Sequence, residues 1–280
     1  MNIMWWVDGN KTDNLSVENR GLAYGDGLFE TMRVVDGGIP LLHAHLHRLS
    51  HGVAVLDLNI DVAVIKQGIN QALSSVSDRG WGQSVIKLIV FRDGLSQGYR
   101  YTQSLKSHYL IRASELLLPE KTSVLHTRIC NYVLSTQSSL AGVKHLNRLD
   151  QVMASRELEA EQEGLMLDSE GFIQEGISSN IFIVKGNEVL TPELSKCGVK
   201  GVMRDFLISQ IEELVELEVD ERAIHCSELK AADEVIFANA VHGVRNAASV
   251  KDTWTSERTR VGDYLRALLL EKLSKSFTSF

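Results

Sequence analysis

The sequence predicts an α+β protein of two domains, and three observations favour that class. The chain has 280 residues, enough to build one large core or two medium ones. Its first half contains several short β-branched and aromatic runs between glycine turns, with only about two helical patterns, which is typical of an α+β domain. A polar break at Pro119–Thr122 divides the two halves, so we predict domains at residues 1–118 and 119–280.

The composition excludes several classes of protein. The net charge of −7 arises from acidic and basic residues spread along the chain, so no basic block favours nucleic acid or an anionic membrane. No stretch approaches the ~20 apolar residues that cross a bilayer, and the first residues do not follow the pattern of a signal peptide. The distant cysteines Cys130, Cys197 and Cys226 predict no disulfide framework. We therefore expect a cytoplasmic protein.

The elements of the first domain follow from apolar runs and two amphipathic patterns. The predicted strands are Ile3–Val7, Phe29–Val35, Ile39–Leu42, Ser84–Phe91 and Ser107–Glu115. The predicted helices are His43–Leu56 and Asp61–Val76. Three glycines within Asn19–Thr31 predict backbone that passes close to another group, or a plain loop before a strand.

The second domain is predicted from more numerous short apolar runs. Its strands are Val124–Leu134, Leu165–Asp168, Phe172–Gln174, Ile181–Val184, Glu188–Thr191 and Glu234–Ala238. Its helices run from the Lys144 stretch to about Glu163, onward from Arg204, and over Val261–Leu273. Lys144 is thereby expected at the mouth of a helix whose apolar stripe begins at Leu146.

Three features of the second domain suit a small anionic aromatic cofactor beside a lysine. Lys144 lies among polar residues, where an ordinary surface lysine is the alternative. The glycine loop at 198–203 leads into a helix, and free N–H groups there would attract a phosphate, although glycine turns before helices are common. Glu175 follows a strand, so its carboxylate would face a ring nitrogen or lie in a surface turn.

The helix of the first domain carries histidines at alternate positions, His43, His45 and His47. Side chains two residues apart on a helix point in different directions, so a shared metal ion is disfavoured. Arg48 follows them, and its guanidinium is either a solvated charge or a bidentate ligand for phosphate.

Five separated segments, in matching order along nearly the whole chain, resemble the fold-type-IV pyridoxal-phosphate enzymes. The segments are Tyr24–Thr31, His47–Leu49, Lys144–Leu149, Gln174–Phe182 and Gly201–Arg204. That group includes branched-chain aminotransferases, D-amino-acid aminotransferases and 4-amino-4-deoxychorismate lyases. Within the group, Ala141–Gln151 and Ala238–Ala240 are most similar to the lyases.

The resemblance implies a D-amino-acid-aminotransferase-like fold. A smaller N-terminal α/β domain would precede a larger, strand-rich C-terminal domain that binds pyridoxal 5'-phosphate. The resemblance also implies a homodimer, for which the pair Trp5–Trp6 and the loop Arg92–Arg100 are candidate contacts.

The resemblance assigns roles to single residues. Lys144 would hold the cofactor covalently and act as general base, while Glu175 would keep the ring nitrogen protonated so that the ring accepts electrons. The other cofactor-binding residues implied are Arg48, Ser178, Asn180, Val202, Met203, Asn239 and Ala240. Related enzymes often carry threonine at the positions of Met203 and Ala240, so Met203 is expected to contribute its backbone alone and Asn239 to replace the hydroxyl missing at Ala240.

The implied reaction converts 4-amino-4-deoxychorismate to 4-aminobenzoate and pyruvate in folate biosynthesis. Thr31 is expected to assist Lys144 by touching the substrate, although a strand threonine is more often structural. The candidates for binding the substrate carboxylates are Arg92, Gln97 and Tyr99, with Arg100 as an alternative. Related lyases show Arg-Gly-Tyr where this chain has Gln97-Gly98-Tyr99.

Two other functions remain open on the sequence. An aminotransferase of the same fold, acting on D-alanine or branched-chain amino acids, would use the same cofactor residues. A binding protein of this fold that has lost catalysis is the second alternative. The presence of both Lys144 and Glu175 disfavours it, because a binding module has no chemical need for that pair.

Overall fold

The computed structural model describes residues 2–94, 98–102, 104–116, 125–160, 162–214 and 216–275. The chain divides into two compact units. The first contains the residues up to Leu118 together with Val143–Asn147, and the second contains Pro119–Gly142 and continues from Arg148. The polar break predicted at 119–122 lies outside the described residues. The Lys144 segment, predicted in the second domain, belongs to the first unit.

The first unit is built on a five-stranded antiparallel sheet with the strand order β2-β1-β5-β4-β3. Its strands are β1 Ile3–Val7, β2 Asn10–Lys11, β3 Gly27–Val35, β4 Gln83–Arg92 and β5 Ser107–Glu115. Its helices are α1 Arg20–Tyr24, α2 Leu42–Val55 and α3 Val62–Asp78.

Helices α2 and α3 supply the core of the first unit together with one face of this sheet. Met32, Ile86 and Ile111 from the strands are fully buried, as are Ile65 and Ile69 of α3. Successive strand residues point to opposite faces, so the residues between them form a second face of the sheet. That second face is half-buried and mixed in polarity.

A buried ionic network ties α2 to β3. Glu30, which is 2% exposed, accepts from Arg48 Nε at 2.8 Å and from Arg48 Nη2. The Nδ1 atom of His45 lies 2.7 Å from the same carboxylate. Burial alone would raise the pKa of Glu30, but the charge of Arg48 and hydrogen bonds from His45 and Arg48 lower it from 4.5 to about 2. Burial lowers the pKa of His45, which favours its neutral form beside the ion pair of Glu30 and Arg48.

The second unit contains a mixed ten-stranded sheet with the order β11-β10-β9-β13-β14-β6-β7-β8-β12, with β15 paired to β14. Its strands are β6 Leu125–Ile129, β7 Glu163–Leu167, β8 Phe172–Gly176, β9 Asn180–Lys185, β10 Glu188–Pro192, β11 Glu218–Arg222, β12 Ile224–His225, β13 Glu234–Asn239, β14 Gly243–Val250 and β15 Trp254–Thr255. Its helices are α4 Leu149–Ser155, α5 Val202–Glu212 and α6 Arg260–Lys275, with 3₁₀ turns at Ser138–Leu140 and Cys226–Ala231.

The centre of this sheet is apolar because its strands are covered by helices or loops. Phe182 and Phe237 on adjacent strands are fully buried. Helix α5 packs against β11 and β13, and Arg204 on α5 is 2% exposed. Arg204 Nη2 donates to the carbonyl of Pro192 at 2.8 Å and to Glu221 at 2.5 Å. These bonds fix the start of α5 beside the ends of β10 and β11.

Most predicted elements of the first half are confirmed, including α2, α3 and β5. The strand predicted at Ile39–Leu42 is wrong, because Leu41 adopts a left-handed φ of 58° and α2 begins at Leu42. The helix predicted from the Lys144 stretch is also wrong in its start. Helix α4 begins only at Leu149, and its apolar residues Leu149 and Val152 are 68% and 56% exposed, so the stripe that indicated a helix is not a core stripe.

The sequence analysis did not predict the short helix α1 or the strands β2, β11, β12, β14 and β15. Asn19 caps α1 by accepting from the Leu22 amide at 3.0 Å. Within the part of the chain that the structure describes, no helix is long and apolar enough to cross a membrane.

The network of Glu30 makes the fold sensitive to acid. Because the folded pKa of Glu30 is depressed from 4.5 to about 2, its stabilising contribution is present above the unfolded pKa and is lost as pH falls toward 2. The full contribution amounts to about 3 kcal/mol. Urea unfolding of Glu30→Gln should show lower stability at pH 7 and a flatter loss between pH 5 and pH 3 than the unsubstituted protein. Glu18→Gln, at an exposed position, is the control, and equal acid slopes for all three proteins would contradict the network's role.

Candidate active site

Lys144 lies in an extended segment beside the start of β3. The Phe29 amide donates to the Lys144 carbonyl at 3.0 Å, and the Leu146 amide donates to the Gly27 carbonyl at 2.9 Å. The Lys144 Nζ atom lies 4.3 Å from the centroid of the Phe29 ring. The backbone hydrogen bonds of its segment therefore hold the half-buried Lys144 side chain against the Phe29 ring.

Thr31 lies on the same sheet face as Phe29, two residues farther along β3, because alternate strand residues share a face. It is opposite Lys87 in the register of β3 and β4, and Lys87 Nζ lies 5.4 Å from the Phe29 ring. The sequence analysis did not select Lys87. The sequence feature that could have identified Lys87 is its place as a single charged residue in the middle of the apolar strand Ser84–Phe91.

Arg48 is held on one edge by Glu30, through its Nε and Nη2 atoms. The guanidinium plane is thereby fixed while the side chain is 13% exposed. Glu30 was not selected from the sequence either, although a glutamate inside an apolar strand is an uncommon burial that demands a partner. His45 is buried against Glu30, whereas His43 and His47 are exposed, so the three histidines of this helix do not face one another.

Glu175 at the end of β8 is 5% exposed. Its Oε2 accepts from the Val199 amide at 2.8 Å, and its Oε1 accepts from Gln151 Nε2 at 3.2 Å. The preceding Gly198 has a left-handed φ of 83°, and a Cβ there would lie 3.3 Å from Glu175 Oε2. The carboxylate is thus fixed by an amide of the glycine loop and by a side chain of α4.

The glycine loop ends at Gly201, the N-cap of α5, and no side chain caps this helix. Asn180 Nδ2 donates to the Val199 carbonyl at 2.8 Å. A Cβ at Gly201 would lie 1.9 Å from Asn180 Oδ1, so only glycine fits there. The side chains of Val202 and Met203 are apolar and buried. The polar groups that these two residues can offer a ligand are therefore their backbone N–H groups in the first turn of α5.

Ser178 and Asn239 lie together, but their side chains have partners within the second unit. Ser178 Oγ donates to Glu163 Oε2 at 3.1 Å, and Asn239 Nδ2 donates to the Ser178 carbonyl at 3.2 Å. Asn239 Oδ1 also accepts from the amides of Val241 and His242. Asn239 therefore shapes the turn that carries Ala240.

Arg92, one of the residues predicted to bind the substrate carboxylates, is enclosed by other groups of the first unit. Arg92 is 1% exposed and donates to Asp26 at 3.0 Å and to two backbone carbonyls, those of Asp57 and Leu56. Its guanidinium also lies 3.6 Å from the Tyr101 ring centroid. This enclosed structural role does not fit a substrate ligand, so the assignment of Arg92 is corrected.

The other two candidates belong to the loop after β4. Gln97 lies outside the described residues. Tyr99 is 84% exposed, with its ring 5.4 Å from that of Tyr24 and its carbonyl accepting from Arg20 at 3.0 Å. The exposed ring of Tyr99 remains a candidate, and the sequence did not reveal that buried Arg20 anchors its backbone.

The structure places the predicted residues in two sets. Those of the first unit are Thr31, Arg48, Arg92, Tyr99 and Lys144. Those of the second unit are Glu175, Ser178, Asn180, Val202, Met203, Asn239 and Ala240. The first set centres on an amine against an aromatic ring, and the second on a buried carboxylate beside an uncapped helix start. Among the described residues, no group of three or more His, Cys, Asp or Glu side chains is arranged to hold a metal ion.

Comparison with known proteins shows the family. Residues 27–250 match the family model for amino-transferase class IV. The crystal structure of a 4-amino-4-deoxychorismate lyase from Pseudomonas aeruginosa superposes with a TM-score of 0.86 at 34% identity, covering 96% of this chain and 99% of that one.

Two relatives with different activities are similar over most of their length. An aminodeoxychorismate lyase from Vibrio harveyi is 27% identical over 88% of this chain and 91% of its own. A branched-chain-amino-acid aminotransferase from Pseudomonas aeruginosa is 26% identical over 97% of this chain and 91% of its own. With its strand-rich fold-type-IV architecture, the chain belongs to the amino-transferase class IV family.

Proposed function

We propose that the protein is an aminodeoxychorismate lyase that uses pyridoxal 5'-phosphate to convert 4-amino-4-deoxychorismate to 4-aminobenzoate and pyruvate. The observation that carries the proposal is the amine of Lys144 held against Phe29, in a chain 34% identical to a lyase of that name over nearly its whole length. Other proteins of the same family are named aminotransferases. Family membership therefore does not identify the substrate, and the substrate named here is our proposal.

Each unit carries residues whose chemistry suits one part of the cofactor. The Lys144 amine would bond to its aldehyde carbon, and the buried Glu175 carboxylate matches a protonated ring nitrogen. Arg48, with its plane fixed by Glu30, and the uncapped first-turn amides of Val202 and Met203 suit its phosphate. When bound, the cofactor supplies a ring that stabilises carbanion character beside the substrate nitrogen.

We further propose supporting roles for the remaining cofactor residues. Asn180 would hold the glycine loop through its bond to Val199, and Ser178 and Asn239 would shape the turn at Ala240. None of these side chains needs to contact the phosphate itself, because each has a partner that defines the backbone around it. The missing threonine hydroxyl at Ala240 is then compensated by backbone position.

The chemistry assigned to the chain's own groups is proton transfer. Lys144 takes the proton from C4 of the substrate as the ether bond to the enolpyruvyl group breaks, and it returns a proton to the methylene carbon of the departing group. The products are 4-aminobenzoate and pyruvate, with no net change in protons. Thr31, on the Phe29 face of β3, is proposed to contact the substrate near this amine.

An aminotransferase acting on branched-chain amino acids is the second candidate, favoured by the relative that covers 97% of this chain. It would require a 2-oxo acid acceptor, which the lyase does not. The resemblance also supports a homodimer, and the cysteine pattern favours a cytoplasmic location. Both stay predictions that sedimentation and cell fractionation would test.

Replacing Lys144 with alanine tests the proposed reaction. We expect the unsubstituted protein with pyridoxal phosphate to show the visible absorption band of the lysine-bound cofactor and to release 4-aminobenzoate and pyruvate in equal amounts. Lys144→Ala should lose the band and at least ~10³-fold of the rate, because it removes the attachment point and the base together. Lys66→Ala, at an exposed position of α3, is the matched control. Transfer from leucine to 2-oxoglutarate without 4-aminobenzoate would favour the aminotransferase instead.

Replacing Glu175 with glutamine tests the electron-sink role. The amide keeps the size of the side chain and removes its charge, so the ring nitrogen loses the partner that holds its proton. We expect the turnover number to fall by at least ~10²-fold while the cofactor remains bound. Glu170→Gln, at an exposed position nearby in sequence, should behave like the unsubstituted enzyme. Unchanged turnover in Glu175→Gln would remove this residue from the proposed mechanism.

Replacing Gly201 with alanine tests the proposed phosphate cradle. The added Cβ would meet Asn180 Oδ1 at 1.9 Å, so the loop and the first turn of α5 must shift. We expect the affinity for pyridoxal phosphate to weaken by about 10-fold or more, in line with the loss of one charge-assisted hydrogen bond. The affinity for pyridoxal, which lacks the phosphate, should change little. Gly82→Ala, where a Cβ meets nothing within 4 Å, is the control, and equal losses for both ligands would contradict a phosphate site.

A further inference from the structure

Helix α4 is short, and two carboxylates hold it in place. Asp150 accepts from the Tyr132 hydroxyl at 3.1 Å and from the Ser135 amide at 3.0 Å. Glu157, just beyond the end of the helix, accepts from the amides of Asn131 and Tyr132, each at 2.8 Å. These bonds fasten both ends of α4 to the segment after β6, so its side chains have defined positions in the second unit.

Gln151 is a polar side chain that α4 directs into the interior of this unit. It is 9% exposed, and its Nε2 donates to Glu175 Oε1 at 3.2 Å. The opposite orientation of the amide would place two acceptor oxygens against each other. Among the described residues, the buried Oε1 of Gln151 has no hydrogen-bond partner, which is unfavourable. The donor nitrogen is therefore the feature of Gln151 that its presence here must explain.

Glu175 receives one N–H donor on each carboxylate oxygen, from the Gln151 side chain and from the Val199 amide. Donors of this kind stabilise a carboxylate over the corresponding carboxylic acid. Burial lowers the pKa of Arg148, whereas the charge of Glu175 raises it, so a cation also lies within electrostatic range. These groups oppose the effect of burial on Glu175, favour its ionised form and fix its orientation.

We propose that Gln151 is a positioning residue, which holds Glu175 as an ionised acceptor for a protonated ring nitrogen of the cofactor. The identity of this ligand rests on the proposed function, whereas the orientation of the carboxylate rests on its two hydrogen bonds. A protonated Glu175 would present an O–H donor and could not stabilise a protonated nitrogen. Glutamine suits the position because it donates a hydrogen bond without adding a charge, whereas a second carboxyl group would compete for the same proton.

Substitution of Gln151 tests the proposal through the binding of two cofactor forms to the full chain freed of cofactor. Pyridoxal phosphate and its 1-deaza analogue, in which a CH group replaces the ring nitrogen, differ only at the atom that Glu175 would face. Calorimetry gives the affinity ratio of the two. We expect the unsubstituted protein to prefer pyridoxal phosphate. Gln151→Met should lose about 10-fold of that preference, with little change in its affinity for the analogue.

Gln151→Glu distinguishes positioning from packing through its pH dependence. Two carboxyl groups at hydrogen-bond distance share a proton, and the Val199 amide and Arg148 favour ionisation of Glu175. At about pH 5 the introduced carboxyl group therefore donates to Glu175, and the preference should stay within about 3-fold of the unsubstituted protein at the same pH. At about pH 9 the shared proton is lost, and the preference should fall by about 10-fold or more.

Gln67→Met and Gln67→Glu, at an exposed position of α3 in the first unit, are the matched controls and should retain the preference at both pH values. The other titratable groups near Glu175, which are unchanged in every variant, are Arg148, Asp150 and Cys197. Cys197 stays a neutral thiol, because burial and the charge of Glu175 raise its pKa to about 12.

Three results would overturn the positioning role. They are equal affinities of the unsubstituted protein for the two cofactor forms, equal losses for both forms in Gln151→Met, and a preference in Gln151→Glu that does not depend on pH. Steady-state kinetics gives a second readout. Gln151→Met should lower kcat more than it raises KM, because Gln151 acts through Glu175 and not on the substrate.

The binding assay separates this inference from the proposed reaction. A protein that forms no 4-aminobenzoate, but whose preference is lost in Gln151→Met, retains the positioning role and loses the lyase assignment. A protein that forms 4-aminobenzoate normally, and whose preference is undiminished in Gln151→Met, retains the lyase assignment and loses the positioning role.

Discussion

The placement of the Lys144 amine depends on two backbone hydrogen bonds, from Phe29 to the Lys144 carbonyl and from Leu146 to the Gly27 carbonyl. They hold the segment extended along the start of β3, which puts the amine over the ring of the residue that makes the first bond. Gly27 is part of the same constraint, because a Cβ there would lie 2.2 Å from the carbonyl oxygen of Val90 and 2.8 Å from Leu146 Cδ1. The position of the Lys144 amine therefore depends on the register of its segment against β3, and that register depends on the absence of a side chain at Gly27.

Buried carboxylates fix the other groups on which the proposed cofactor binding depends. Glu30 is buried with an arginine and a histidine, and Glu175 with a backbone amide and a glutamine. A buried charge is tolerated only with such partners, so each carboxylate dictates the orientation of what surrounds it. Glu30 sets the plane of Arg48, and Glu175 holds the Val199 backbone of the glycine loop. In each of the two units, one buried acidic residue thus fixes the orientation of the cationic or N–H groups around it.

Local patterns predicted the fold well where local energetics decide it. Helix α3 begins after Asp61, whose side chain accepts from the Ala63 amide at 2.8 Å, and such caps are visible in a sequence. The Lys144 segment was mispredicted as helix because its partner, β3, is more than 100 residues away in the chain. Arg92 was mistaken for a substrate ligand for the same reason, since Asp26 and the carbonyl of Leu56 cannot be read from its neighbours.

The cofactor residues cannot decide between lyase and aminotransferase, because both use the same family architecture and function resides in the site rather than the fold. The decision falls on groups that would touch the substrate. Thr31, on the Phe29 face of β3, and the exposed Tyr99 are the described residues proposed to contact the substrate. Substitution of these two residues would therefore separate the two activities, whereas substitution of Lys144 or Glu175 would remove both.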